Sequence, residues 1–67
     1  MNLVVNGDSY KDLPKALTVA GLIKHLGLPA TKIAVERNLE IVSKSQFDHT
    51  VLSEGDTLEI IHFIGGG

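Results

Sequence analysis

The chain has 67 residues, which is room for one domain and not for a second. Five lysines and one arginine stand against eight acidic residues, and the net charge of -2 leaves no basic footprint for nucleic acid. The absence of cysteine excludes disulfides, thiolate metal centres and a thiol nucleophile. No apolar run approaches the roughly 18 residues of a membrane span, and Met1 leads into a strand-like segment without a leader pattern, so a cytoplasmic protein away from membranes is expected. An apolar content of 43% argues against disorder. A chain this short buries only about 60% of its unfolded surface, so its core is small.

Leu3-Val4-Val5-Asn6 reads as a β-strand stopped by Asn6-Gly7-Asp8, a hairpin signal because Asn and Gly both tolerate positive φ. The return strand is expected over Ser9 to Leu13, closed by Pro14, which cannot donate to a ladder. Leu3, Val5 and Leu13 are assigned inward and Val4 to the opposite face. One helix follows. Thr18 is its N-cap, Leu17 can staple onto Leu22, and Val19, Leu22, Ile23 and Leu26 form one apolar stripe. Lys24 and His25 suit the C-terminal end, Gly27 supplies the left-handed residue beyond it, and Pro29 prevents continuation. Gly21 weakens the helix by nearly 1 kcal/mol, which a close approach to the sheet would explain.

Lys32 to Arg37 reads as a third strand around Ile33-Ala34-Val35, Asn38-Leu39 as a turn, and Glu40-Ile41-Val42 as the answering strand. A regular strand would put Arg37 on the same face as Val35. Ser43 to Thr50 is polar and irregular, with Phe47 as its anchor in a short 3₁₀ turn. Val51-Leu52 is a brief apolar patch, and Glu54-Gly55-Asp56 a turn that launches the last strand, Thr57 to Phe63. This order of elements implies an α+β fold: a four- to five-stranded mixed sheet with one main helix on one face.

Alternation places Leu58, Ile60 and His62 on one face of the last strand and Glu59, Ile61 and Phe63 on the other. A single helix covers a single face. If Leu58 and Ile60 face it, Ile61 and Phe63 are left exposed together with Val4, as an interaction surface. The alternative is that Phe63 folds over the sheet edge and completes the core. The strand runs into Gly65-Gly66-Gly67, so the expected division is a body over residues 1–64 and a flexible glycine tail over 65–67.

The residues present few candidates for catalysis. His25, His49 and His62 match no metal-ligand spacing and read as ordinary histidines, so no metal site is expected. No G-x-S-x-G elbow occurs, and the glycines precede no helix that could make a phosphate cradle. Asp8, Asp12, Glu36, Glu40, Asp48, Glu54, Asp56 and Glu59 read as solvated surface charge, not as a gathered cleft. No catalytic residue is assigned, and an enzyme in its own right is not expected. The remaining reactive group is the α-carboxylate of Gly67.

The pattern as a whole resembles the sulfur-carrier proteins of thiamine biosynthesis, the ThiS family, within the ubiquitin-like β-grasp fold. The residues that carry the resemblance are Val5-Asn6-Gly7, Thr18-Val19 with Leu22 and Leu26, and Ile33-Ala34-Val35-Glu36-Arg37-Asn38. Ser45-Gln46-Phe47, Gly55-Asp56 with Leu58-Glu59-Ile60-Ile61, and Gly66-Gly67 complete it. Two positions depart from the family pattern: Leu39 stands where glycine is frequent, and Ser43 where proline is frequent.

The resemblance implies that an adenylyltransferase related to ubiquitin-activating enzymes activates the Gly67 carboxylate with ATP and magnesium. A cysteine desulfurase persulfide or another sulfur donor then converts it to a thiocarboxylate, and thiazole synthase receives the sulfur. No cofactor is bound by the chain itself, and the free carrier is expected to be a monomer. Gly65 and Gly66 would let the tail thread a narrow channel, while Val4, Ile61 and Phe63 would dock the body. Three other readings stand beside this one: the small subunit of molybdopterin synthase, a ubiquitin-like modifier joined to lysines, and a binding module with an incidental tail.

Overall fold

The computed structural model describes residues 1–63. β1 (Leu3–Val5) turns through Asn6 and Gly7, at φ of 50° and 84°, into β2 (Asp8–Tyr10). Both turn residues are left-handed, as a two-residue hairpin between right-twisted strands requires. β2 ends at Tyr10, earlier than the alternation predicts. Asp12 takes a φ of 60°, and Leu13 leaves the ladder to exchange backbone hydrogen bonds with Met1 instead. Leu13 is nonetheless buried, so its inward assignment holds.

α1 (Val19–Leu26) begins at Thr18, whose side chain accepts the Gly21 N–H at 3.0 Å. Two further N–H groups of the first turn, on Val19 and Ala20, donate to the carbonyls of Thr50 and Phe47. The irregular segment thereby satisfies the helix donors that have no partner within the helix. At the other end Gly27 has a φ of 72°, and Leu28 donates to the Ile23 carbonyl, closing a Schellman motif.

The reason for Gly21 differs from the expected contact with the sheet. A Cβ there would lie 2.9 Å from Leu17 Cδ1 and 3.3 Å from the Thr18 hydroxyl, so the crowding comes from the residues that enter the helix. Leu17 Cδ1 is the free end of a flexible side chain. Gly21→Ala is therefore expected to raise stability, because a helix-propensity gain of about 1 kcal/mol exceeds the cost of shifting one methyl group. Thermal unfolding checks this, and a lowered melting temperature would show that the cap itself is disturbed.

β3 (Ile33–Arg37) and β4 (Glu40–Val42) form the second hairpin, turning through Asn38 and Leu39 at φ of 49° and 71°. Leu39 carries a Cβ in a left-handed conformation, at a cost of about 1 kcal/mol. β5 (Thr57–His62) ends one residue before the predicted Phe63, although the Phe63 N–H still donates to the Lys32 carbonyl at 2.8 Å. Short 3₁₀ turns at Ala30–Lys32 and Lys44–Gln46 precede β3 and Phe47, and Phe47 is buried as the anchor of its segment.

The strands form one five-stranded sheet in the order β2-β1-β5-β3-β4. β1 and β5 run parallel, and the other neighbours run antiparallel. Leu3, Val5, Ile33, Val35, Leu58 and Ile60 point from the sheet into a core completed by Val19, Leu22, Ile23, Leu13, Phe47 and Leu52. Val51, beside Leu52, is half exposed and adds nothing to that core.

The parallel ladder continues through a side chain. Past β1, Asn6 turns away from the strand, yet its amide oxygen accepts the Ile60 N–H at 2.7 Å and its amide nitrogen donates to the Ile60 carbonyl at 3.2 Å. Asn6→Ala removes both bonds and loses the asparagine's tolerance of a left-handed φ. It is expected to destabilise the domain by about 2 kcal/mol, read by denaturant unfolding, with fast amide exchange at Ile60 as the local signature.

Candidate functional site

β5 is the middle strand, and the chain leaves the sheet from it. Two polar networks hold it in place. One is the Asn6 clamp on Ile60. The other lies at the start of the strand, where the Asp56 carboxylate accepts from Arg37 Nε at 2.8 Å, Ser53 N–H at 2.8 Å and Asn38 Nδ2 at 3.0 Å. Asn38 then accepts the Thr57 N–H at 3.0 Å through its side chain, and its own N–H donates to the Thr57 carbonyl at 2.8 Å. The turn between β3 and β4 is thus tied to the start of β5. Arg37 does share the inner face with Val35, and its guanidinium reaches past the core to the 7% exposed Asp56. Burial pushes the Asp56 carboxyl up. The hydrogen bonds from Ser53, Asn38 and Arg37, with the Arg37 charge, outweigh that and hold its pKa below the ordinary 3.8.

The outer face of the sheet is built by the alternate residues. Leu58 and Ile60 are buried, whereas Ile61 and Phe63 are each 52% exposed. Phe63 does not close the core. Ile61 lies opposite Ala34, and Val4, half-buried, lies opposite Thr57. Ile41 at the sheet edge is 72% exposed. Val4 and Ile61 are on the face away from the helix and Phe63 is exposed beyond the end of β5, but Val4 lies beside Thr57, across Glu59 from Ile61, so the register does not bring it together with Ile61 and Phe63. Gly65, Gly66 and Gly67, together with Ile64, lie outside the described residues.

The register also brings together two carboxylates that were read from the sequence as dispersed charge. Glu59 is paired directly with Glu36, and Glu36 with Ile41, so the three form one row across the outer face. Among the described residues no hydrogen bond or ion pair engages either glutamate side chain, and the ion pair present is Arg37–Asp56. The signal for this row is the period-2 pattern of each strand. It becomes readable only once the β3–β5 register is known.

His25 is on α1, His49 follows the second 3₁₀ turn, and His62 ends β5. Among the described residues no three His, Asp or Glu side chains are grouped to hold a metal ion. An open groove of about 360 Å³ runs under β4, with Arg37 and Glu40 as its charged residues and Ser43, Gln46 and Thr50 along its wall. Arg37 is already committed to Asp56, so the groove presents no paired acid and base. No helix among the described residues is long and apolar enough to cross a membrane.

One helix on one face of a five-stranded mixed sheet, with the first and last strands parallel and adjacent, defines a ubiquitin-like β-grasp domain. A crystal structure of a thiamine biosynthesis protein (ThiS) from Geobacter metallireducens matches it with a TM-score of 0.85 and 38% identity, covering 100% of both chains. The chain belongs to the ThiS family, whose model matches residues 2–67. A sulfur carrier protein ThiS from Bacillus subtilis is 35% identical over 65 residues, which is 97% of this chain and 98% of that one. A thiazole synthase from Paramagnetospirillum magneticum is 48% identical over all 67 residues. Another, from Magnetococcus marinus, is 40% identical over the same length. This chain spans 20% of the length of each of those two proteins.

Proposed function

We propose that this chain is a sulfur carrier of thiamine biosynthesis, with the α-carboxylate of Gly67 as the group that carries the sulfur. The observation that supports it most directly is the match, over nearly the whole of both chains, to a Bacillus subtilis protein named as a sulfur carrier. The fold adds a rigid strand, pinned by Asn6 and Asp56, from which the chain continues beyond Phe63 towards Gly67.

A carboxylate is a poor electrophile because its leaving group would be an oxide. Transfer of an adenylyl group from ATP, with magnesium on the phosphates, releases pyrophosphate and leaves Gly67 as an acyl-adenylate with AMP as its leaving group. A ubiquitin-activating-like adenylyltransferase supplies that step. The sulfur of a persulfide, from a cysteine desulfurase or another donor, then displaces AMP. The acyl disulfide so formed is cleaved by an external thiol reductant, which frees the donor's cysteine thiol and leaves a terminal thiocarboxylate, and thiazole synthase consumes its sulfur. The two relatives named thiazole synthase support that last partner, since each contains a segment similar to this entire chain. In this reading the chain is a co-substrate and not an enzyme. Gly65 and Gly66 let the terminus enter the partner's active site, and Val4, Ile61 and Phe63 are the docking surface.

Intact-mass spectrometry tests the proposal. After incubation with ATP, magnesium, an adenylating enzyme, a persulfide source and a thiol reductant, the chain is expected to gain roughly 16 Da, sulfur replacing oxygen. Absence of the shift, or transfer of the chain onto lysines in its place, would overturn the reading.

A further inference from the structure

We infer that Glu36 and Glu59 select the partner on the outer face, by receiving a basic side chain from thiazole synthase between them; this rests on the carrier reading. The two glutamates are direct cross-strand neighbours on β3 and β5. Side chains in such a pair stand about 5 Å apart at Cβ, and like charges placed there destabilise a sheet. The chain has six lysines and arginines, yet among the described residues no ion pair engages either glutamate. Neither carboxylate accepts a hydrogen bond from the described residues. An uncompensated local cost of this kind points to a role outside folding.

Their surroundings narrow the occupant. The glutamate row ends on Ile41, and the adjoining row is Ile61 with Ala34, with Phe63 beyond it. Any partner that covers these exposed apolar residues also takes the two carboxylates out of water. Unpaired, buried carboxylates oppose association, whereas a cation set between them makes the same burial favourable. A second copy of this chain would bring four carboxylates together across the interface. An anionic lipid surface or a nucleic acid would be repelled by the same pair. A protein surface with a lysine or arginine inside an apolar border complements both features. Among protein partners thiazole synthase is singled out, because two relatives join this fold covalently to the rest of a protein of that name. Such a tether makes the face and its neighbour permanent companions at high effective concentration.

Calorimetric titration of the chain with a stand-alone thiazole synthase tests this, at low and at raised salt. Glu36→Gln with Glu59→Gln is expected to weaken binding about tenfold or more and to flatten its salt dependence. The melting temperature of that variant is expected to stay level or rise, which a structural role for the pair would not allow. Glu36→Lys with Glu59→Lys is expected to abolish binding.

Unchanged affinity in the glutamine variant, or no binding of the unsubstituted chain, would overturn the inference. So would a loss confined to an adenylating enzyme. The mass assay for the thiocarboxylate, run in parallel, separates the two readings. A 16 Da gain with charge-independent binding leaves the carrier and removes the docking role. Charge-dependent binding without that gain does the reverse.

Discussion

Asp56→Ala is expected to destabilise the domain by about 3 kcal/mol, an effect as large as truncating a core side chain. A domain of this length has roughly 3–10 kcal/mol of stability in all. The variant should therefore lose roughly a third or more of its stability and unfold at a markedly lower temperature and urea concentration than the parent. The size follows from what one carboxylate holds. Its Oδ2 accepts from both Arg37 Nε and the Ser53 N–H, and its Oδ1 accepts from Asn38. Through Asn38 the same group fixes the tight turn between β3 and β4 against Thr57, the first residue of β5. Alanine leaves the Ser53 N–H and the partly buried guanidinium without an acceptor. Asp56→Asn is no remedy. Whichever way the amide is turned, its NH₂ faces donors, so this isostere is expected to lose most of what alanine loses. Equal stability of the asparagine variant and the parent, measured by urea unfolding, would show that the network is ornamental.

The same carboxylate sets the acid limb of stability. Its pKa in the folded protein is depressed below 3.8, and in the unfolded chain it returns to the ordinary range. The stabilisation is therefore present in full above about pH 4 and is lost as pH falls through the folded pKa. In Asp56→Asn this part of the pH dependence is expected to vanish. The stability curves of variant and parent should converge towards low pH, where the parent's carboxyl is protonated too.

The parts of the fold that were legible in the sequence rest on contacts between near neighbours. Asn6-Gly7 can build its hairpin, and Thr18 and Gly27 can cap their helix, with groups a few residues away, so residue type alone reports them. Alternation within β5 likewise placed Ile61 and Phe63 on the face away from the core. Strand ends were less legible. β2 stops early because Leu13 finds a backbone partner in Met1, a contact that no pattern within the strand announces.

The outer face of the sheet was legible only in part, for the same reason. Glu36 and Glu59 each read as exposed charge on their own strand, and that description is correct strand by strand. Their juxtaposition belongs to the β3–β5 register, a pairing between distant segments. Asn6 hides its role differently. Its type and position are fully explained by a left-handed turn, so the bond pair to Ile60 leaves no separate trace in the sequence. Gly21 shows the converse: an unexpected residue with a local explanation, in Leu17 and Thr18, where a distant one was expected.

Deleting Gly67, or replacing Gly66 with alanine, is expected to abolish thiocarboxylate formation while leaving the unfolding transition unchanged. The folding half of this expectation follows from where the stability lies. The buried core, the two pinning networks and both hairpins fall within residues 1–63. The chemical half follows from the carrier reading. Deletion of Gly67 moves the carboxylate back by one residue, about 3.5 Å of extended chain. An acyl transfer that depends on reacting atoms held within about 3–3.5 Å does not tolerate that displacement. Gly66→Ala leaves the carboxylate in place and adds one methyl group beside it, restricting the backbone where the adenylating enzyme must grip it closely. The two variants therefore separate reach from fit. Loss in both is the expected outcome, read as absence of the roughly 16 Da gain in intact mass. A Gly66→Ala chain that is adenylated and sulfurated at the parental rate would remove the narrow channel from the proposal and leave the terminal chemistry standing. A full mass gain in the chain lacking Gly67 would place the sulfur on the Gly66 carboxylate and remove the requirement that the terminus reach one residue further.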